Sequence, residues 1–273
     1  MPYKKEWFND DPFWEQYAPI MFDAAHWAEV PAVADGITRL AKLPLYMEDR
    51  AAAPAGRPRC LDLCCGFGRV GLELARRGFA VTGVDITKSY LETAREDAAR
   101  ENLEAEFIHG DVREFARPET FDIAINLYNS FGYFEDPAGD KLLIQNAFTS
   151  LKPGGVFFIE TLGKEIMARD FTAGEWFRRA GFFVVTEYEI LDSWGAIKNT
   201  WHLIRENTDV STASTASAAS CPVKKTFVHR LYAASELRRL FLEAGFSQLV
   251  IYGDWDERPY NEQAVKLIAA GRK

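Results

Sequence analysis

The chain has 273 residues, 48% of them hydrophobic, with 32 basic and 40 acidic side chains and a net charge of −8. That length allows one large domain with an embellishment. The acidic balance, with no basic run longer than a pair, excludes an extended nucleic-acid surface, which needs excess Lys and Arg against phosphate.

Residues 10 to 43 come first, aromatic and helical in pattern. In WAEVPAVADGITRLAKL, Val30, Val33, Ile37 and Leu40 recur at helical spacing, and Pro31 fits a first turn. The start, MPYKKEWFNDDPFW, has no apolar core after its lysines, so no secretory leader is expected. Residues 47 to 59, MEDRAAAPAGRPR, read as a polar linker. From residue 60 strands and helices alternate. RCLDLCC is a short apolar strand, RVGLELARRG a helix stopped by Gly78, FAVTGVD a strand, and TKSYLETAREDAARE a charged helix. EAEFIHGD and FDIAINLY are the third and fourth strands. After the loop NSFGYFEDP, Asp136 and Pro137 stand where an N-cap and a first helical residue belong, ahead of AGDKLLIQNAFTSL. KPGG is a turn, and VFFIET a fifth strand.

Beyond residue 162 the rhythm changes. FFVVTEYEILD and AIKNTWHLIRE, separated by SWG, predict an antiparallel hairpin, with KKTFVHRLY as a third antiparallel strand. Between them DVSTASTASAASCP has almost nothing to bury, so residues 211–220 read as a surface loop and not a site. The helix ASELRRLFLEAG, the strand FSQLVIYG and the segment AVKLIAAGRK close the chain. This order predicts an α/β fold, a doubly wound, Rossmann-like, mostly parallel sheet with an N-terminal helical cover and an antiparallel β insertion. The expected divisions are a cover and linker over 1–56, a cofactor-binding core over 57–162, a β insertion or lid over 163–232, and the end of the core sheet over 233–273. No stretch reaches the roughly eighteen uncharged residues that cross a bilayer as a helix, so a cytoplasmic protein without a membrane partner is expected.

Residues 60 to 71, CLDLCCGFGRVG, hold three of the four cysteines. Zinc sites pair their ligands as CxxC or with matched histidines, whereas here the spacing is C-x3-CC and His26, His109, His202 and His229 stand singly. With Cys60, Cys64 and Cys65 placed in one strand, adjacent side chains point to opposite faces, so core thiols are expected and not a metal. Gly66, Gly68 and Gly71 spell G-x-G-x-x-G, and Asp85 follows Gly66 by 19 positions, ending the second strand. A nicotinamide or flavin dinucleotide answers that pattern, with its pyrophosphate on the helix N-terminus. Asp62 departs from it, because a carboxylate four residues before the first glycine repels a pyrophosphate and suits an ammonium group. Asp111, closing the third strand in IHGDV, adds a third carboxylate at successive strand tips.

LDLCCGFGRVGLELARRGFAVTGVD, with IHGDV, FDIAINLYNSFGYFED and LKPGG downstream, resembles the class I S-adenosylmethionine-dependent methyltransferases over residues 57 to 161. The resemblance implies S-adenosylmethionine as cofactor and a sheet crevice as its site. On the matching positions it implies that Asp62, Gly66, Phe67 and Gly68 surround the methionine moiety. It implies further that Asp85 binds the ribose hydroxyls with Ile86 against the adenine, and that Asp111 accepts the adenine amine with Val112 beside it. Asn126 and Leu127 then lie under the sulfonium. The family often has glycine where this chain has Cys64, which makes the turn less open. Gly71 is expected to serve helix–strand packing, and Arg69 to be a solvated helix residue.

Methyl transfer from a sulfonium is an in-line displacement that needs alignment and exclusion of water more than acid–base help, and no metal. WEQYAPIMF, residues 14 to 22, and the β insertion are the expected lids. Tyr17, Tyr128 and Tyr133 are candidates to line the methyl-transfer pocket, where aromatic faces attract a cationic or amine acceptor. His229, and less so His202, are candidate bases, and Asp254, Trp255 and Asp256 candidate substrate contacts at the crevice edge. The expected partner is a small-molecule acceptor with an N or O nucleophile and no nucleic acid. A NAD-dependent oxidoreductase and a non-catalytic S-adenosylmethionine-binding protein are the alternatives. Composition leaves the oligomeric state open.

Overall fold

Apolar runs of five to eleven residues, each followed by an amphipathic helix or a turn, assemble the larger of two sheets in a computed structural model that describes residues 6–42, 56–206 and 223–273. Its strands are β1 (Arg59–Leu63), β2 (Ala80–Asp85), β3 (Ala105–His109), β4 (Phe121–Asn126), β5 (Leu151–Thr161), β10 (Gln248–Tyr252) and β11 (Leu267–Arg272). They lie in the order β10-β11-β5-β4-β1-β2-β3. Only β11 runs against its neighbours. Strand order reverses between β1 and β4, and ligands of such sheets bind beyond the carboxyl ends at that reversal.

The period of two divides the core between the faces. Leu61 and Leu63 of β1 join Ala124, Phe157 and Ile159 under α6 (Pro137–Ser150) and α8 (Ala234–Ala244). Cys60, Ile123, Ile125 and Phe158 face α3 (Val30–Ala41) and α4 (Arg69–Arg76) on the other side. α5 (Lys88–Arg100) packs Leu91, Ala94 and Ala98 beside Phe107. Asp136 caps α6 as expected, its side chain accepting from the Ala138 amide at 2.9 Å.

The insertion is a separate antiparallel sheet, β6 (Gly174–Arg179), β7 (Phe182–Leu191), β8 (Ala196–Arg205) and β9 (Val223–Arg230), in that order. α7 (Lys164–Asp170) leads into it. Neither α7 nor β6 was legible, because GEWFRR is short and half charged. The N-terminal cover comprises α1 (Asp11–Met21), α2 (Ala24–Ala28) and α3. α1 joins the two sheets: Phe13, Tyr17 and Ile20 pack on Val184 and Leu203 of the insertion, while Tyr90 of α5 donates its hydroxyl hydrogen to the Trp14 carbonyl.

Two expectations need correction. Only Cys60 of the three clustered cysteines is in a strand. β1 ends at Leu63, Cys64 turns to φ +61°, and the Cys64 and Cys65 amides both donate to the Val84 carbonyl at 2.8 and 3.1 Å. KPGG does not precede the fifth strand but lies within it, because Leu151 already pairs with Phe121 across a bulge. The expected linker over residues 47–55 and the loop over 211–220 fall outside the described residues.

Candidate active site

The tips of β1, β2 and β3 meet around the glycine-rich turn. Gly66 donates its amide to Asp85 Oδ2 at 2.8 Å, and the Thr87 amide donates to Asp85 Oδ1 at 2.8 Å. The Thr87 side chain and the Ile86 backbone also hydrogen-bond this carboxylate, which ends β2 at the wall of the slot. Gly68, at φ +69°, caps α4, and a Cβ there would stand 2.7 Å from the Phe107 ring. A Cβ on Gly71 would stand 3.1 Å from Asp62 Oδ2, so this glycine lets the helix close on the carboxylate, the packing role expected of it. Asp62 is buried, and burial followed by the charge of Asp85 raises its carboxyl to about 7. A cation beside it relieves that cost.

A cavity of about 110 Å³ runs along these tips, walled by Asp85, Ile86, Tyr90, Asp111 and Val112. Carboxylates at one side and an apolar slot at the other suit a nucleoside. Asp111 stands at the wall, but its acceptor positions are occupied: the Arg113 side chain and amide reach its two oxygens at 2.6 to 3.0 Å. Arg113 also pairs with Glu6 at 2.7 Å. An adenine amine can bond Asp111 only where Arg113 yields a position.

The second cavity is larger, about 550 Å³, and lies between the two sheets. Cys64, Gly66, Ser130 and Tyr133 line both cavities, so they meet there. The insertion supplies Asn199, Trp201, Phe227 and His229, and the cover supplies Trp14 and Phe22. Both expected lids therefore wall the cavity. Register explains the inner face: Asn199 lies opposite Phe227 and Ile197 opposite His229, with alternate residues of β8 and β9 pointing inward.

His229 is buried, with Nε2 2.7 Å from the Phe131 carbonyl. Burial pushes it down to about 4, so the ring is neutral and Nε2 carries the hydrogen that the carbonyl accepts. Nδ1 is left as the acceptor on a ring that lines the cavity. Tyr133 packs edge-on to His229 with centroids 4.9 Å apart. Tyr128, at φ +56°, also lines the cavity, and burial raises its hydroxyl above the ordinary range. Leu127 reaches the cavity, whereas Asn126 lies beneath it, donating to the Leu63 carbonyl at 2.9 Å with its Oδ1 buried and without a hydrogen-bond partner among the described residues.

Several sequence candidates lie elsewhere. Tyr17 does not line the cavity: it is fully buried between α1 and the insertion, its hydroxyl within 3.2 and 3.3 Å of the Trp201 and Val223 carbonyls. Phe67 packs against Phe22 and Tyr90, behind the turn. His202 points outward to Glu187 at 3.3 Å. Trp255 is buried against Phe158, Asp254 accepts from the Trp255 amide, and Asp256 binds Arg258, so none of the three reaches the cavity wall. Arg69 is the reverse case. Expected in solvent, it is 5% exposed and lines the large cavity. Its place as first residue of α4, beside the glycine turn, was the available signal.

A family model described as a methyltransferase domain matches residues 60–155. Glycine/sarcosine N-methyltransferase of Aphanothece halophytica is 26% identical over 221 residues, covering 80% of this chain and 77% of its own. These likenesses support the class I S-adenosylmethionine-dependent methyltransferase family, with the methyltransferase domain matched over residues 60–155. Ubiquinone biosynthesis O-methyltransferase of Actinobacillus pleuropneumoniae is 30% identical over 129 residues, 45% of this chain, and the chain spans about half of that relative's length, 53%. Among solved methyltransferase structures, one from Clostridium acetobutylicum superposes with a TM-score of 0.72 at 13% identity, covering 96% of this chain and 98% of its own. CalS10 from Micromonospora echinaspora, an amino pentose methyltransferase with S-adenosylmethionine bound, gives 0.66 at 20% identity, covering 95% and 96%. These structures share the fold. The family's cofactor is S-adenosylmethionine, and the residues fit it: the Asp85 carboxylate in the wall of the slot for a diol, an apolar surface at Ile86 and Val112, and at Asp62 a buried carboxylate with an excess of negative field. No helix among the described residues is long and apolar enough to cross a membrane, and no cluster of potential metal ligands occurs among them.

Proposed function

We propose that the chain methylates a small-molecule acceptor held in the cavity between the two sheets, using S-adenosylmethionine bound along the tips of β1, β2 and β3. The observation that carries this reading is the junction of the two cavities at Cys64, Gly66, Ser130 and Tyr133, where the slot along the strand tips opens into the larger chamber between the sheets. Bound there, the cofactor supplies an electrophilic methyl group. Asp62, Gly66 and Asp85 hold its amino acid and ribose parts. Trp14, Tyr133, Trp201 and Phe227 present aromatic surface that attracts an amine or a planar acceptor and excludes water from the junction. His229, fixed in one tautomer by the Phe131 carbonyl, offers Nδ1 as a neutral hydrogen-bond acceptor that orients the N–H or O–H of the nucleophile. The site thus suits nitrogen and oxygen acceptors of small size. The acidic balance of the chain accords with a small acceptor and not with nucleic acid.

The test is incubation of the purified protein with S-adenosylmethionine and a panel of small amines and hydroxyl compounds, reading S-adenosylhomocysteine formation and methylated product by mass spectrometry. Turnover on at least one acceptor, reduced in His229→Gln, is expected. Tight binding of S-adenosylhomocysteine with no turnover across a wide panel would favour a non-catalytic binding protein.

A further inference from the structure

The inner face of the insertion carries a buried amide that the described residues leave almost unsatisfied. Asn199 lies within β8, and strand interiors disfavour asparagine. It is 8% exposed and lines the large cavity. Its one hydrogen bond among the described residues runs from Nδ2 to the Ile197 carbonyl of its own strand at 3.4 Å, long for an N–H donor. A side-chain amide has two N–H hydrogens and two acceptor positions, so most of its capacity is unused there. Directly opposite on β7, Tyr188 also lines the cavity, but its hydroxyl donates to Glu175 Oε1 at 3.1 Å. Opposite on β9 stands Phe227, whose ring has no hydrogen-bonding group. Burying an amide this way is costly unless a partner arrives, and the cavity is the side from which one can come. His229 is the diagonal neighbour, since it pairs with Ile197, two residues before Asn199 on the same face. Diagonal neighbours across a pair of strands set their Cβ atoms about 7 Å apart. Side chains so placed present an amide and the Nδ1 acceptor to adjacent parts of one ligand.

We propose that Asn199 is a specificity residue of the acceptor chamber, hydrogen-bonding a hydroxyl on the carbon next to the one that bears the nucleophile, while His229 Nδ1 accepts from the nucleophile itself. Asn199 in this role rests on the function proposed above for the chamber and narrows its substrate class to 1,2-amino alcohols and 1,2-diols. An amide donates to a hydroxyl oxygen and accepts from its hydrogen, so one neighbouring hydroxyl satisfies both of its ends. Phe227 and Trp201, on the same face, cover the carbon skeleton of such an acceptor. An acceptor with a single polar group leaves the amide buried and unpaired, and a site built to hydrogen-bond a hydroxyl rejects the analogue that lacks it.

The experiment compares two acceptors that differ by one hydroxyl, 2-aminocyclohexanol (cis and trans separately) and cyclohexylamine, with S-adenosylmethionine and mass-spectrometric detection of the N-methyl product. Titration with S-adenosylhomocysteine runs in parallel. The wild type is expected to methylate one isomer of the amino alcohol with kcat/KM about 10- to 100-fold above cyclohexylamine, the range set by one buried amide left unpaired. In Asn199→Leu that ratio falls toward one, with S-adenosylhomocysteine affinity reporting that the variant is folded. Equal kcat/KM of the wild type for the two amines, or a preference for cyclohexylamine, overturns the proposal whatever becomes of the variant's folding. An unchanged ratio in a folded Asn199→Leu overturns it too. Binding of S-adenosylhomocysteine with turnover of neither amine overturns the substrate class while leaving the cofactor reading intact. Failure to bind S-adenosylhomocysteine overturns the cofactor reading itself and the proposal with it.

Discussion

Cofactor binding is expected to expel a proton from Asp62. Burial and the neighbouring Asp85 raise this carboxyl to about 7, so at pH 7 about half of the free protein carries the proton. An ammonium group set beside it favours the carboxylate. Occupation by S-adenosylhomocysteine then releases about 0.5 proton per site at pH 7 and about 0.9 at pH 6. Affinity rises with pH accordingly, with a slope of log K against pH of about 0.5 at pH 7 that approaches one at lower pH. The assay is calorimetric titration at pH 6, 7 and 8 in buffers of different ionisation enthalpy, where the buffer dependence of the heat counts the protons. In Asp62→Asn the release vanishes and affinity falls about tenfold or more. The sign for the free protein is opposite to that of a salt-bridged acid. The folded carboxyl lies above its ordinary 3.8, so the folded state holds more protons between about 4 and 7, and wild-type stability falls as pH rises through that window. Asp62→Asn removes the penalty and is expected to stabilise the cofactor-free protein by about 2–4 kcal/mol above pH 7. Buffer-independent heats in the wild type, or wild-type affinity and proton release in Asp62→Asn, would show that no ammonium sits on this carboxylate.

Three further outcomes follow from particular contacts. His229 lies at about 4 in the fold against an ordinary 6.5, so the unfolded chain holds the extra proton between those values. Its contribution is present above pH 6.5 and lost toward pH 4, about 3 kcal/mol in all, and urea denaturation from pH 4.5 to 7 should show a flatter acid limb in His229→Gln than in the wild type. Tyr17→Phe, which removes only hydrogen bonds to the Trp201 or Val223 carbonyl, should cost about 1 kcal/mol of stability in denaturant titration while leaving S-adenosylhomocysteine affinity at the wild-type value. A large loss of that affinity would return Tyr17 to the site. Gly68→Ala combines φ +69° with a Cβ 2.7 Å from the Phe107 ring, and should lower stability by about 2 kcal/mol or more, read as a drop in melting temperature with weakened cofactor binding.

The parallel half of the fold was legible because its signals are local. Each strand of the larger sheet announces itself as an apolar run, and each turn as glycine or an aspartate cap, so the order from Arg59 to Thr161 follows from periodicity alone. The carboxylates at the strand tips were legible for the same reason, since a strand end fixes where its last side chain points. What escaped depends on contacts distant in sequence. Tyr17 and Trp14 lie three residues apart on α1, yet one reaches the cavity and the other the interface with the insertion, because α1 is wedged between two sheets and has no single buried face. The saturation of Asp111 by Arg113 is written two residues away, but a pattern of spacing shows only that a carboxylate is present, not that its acceptor positions are taken.

Arg69 carries this furthest. As the first residue of an amphipathic helix it belongs by local rules in solvent. It is buried because Phe22, Trp27 and Tyr128, from the cover and from the loop after β4, close over it. A charge at that position costs the fold stability on any local reckoning, and the same residues close the cavity in which an anion would repay it. Where local propensity and observed burial disagree this strongly, the residue is the first to test for a ligand contact, since packing alone is served as well by methionine as by arginine.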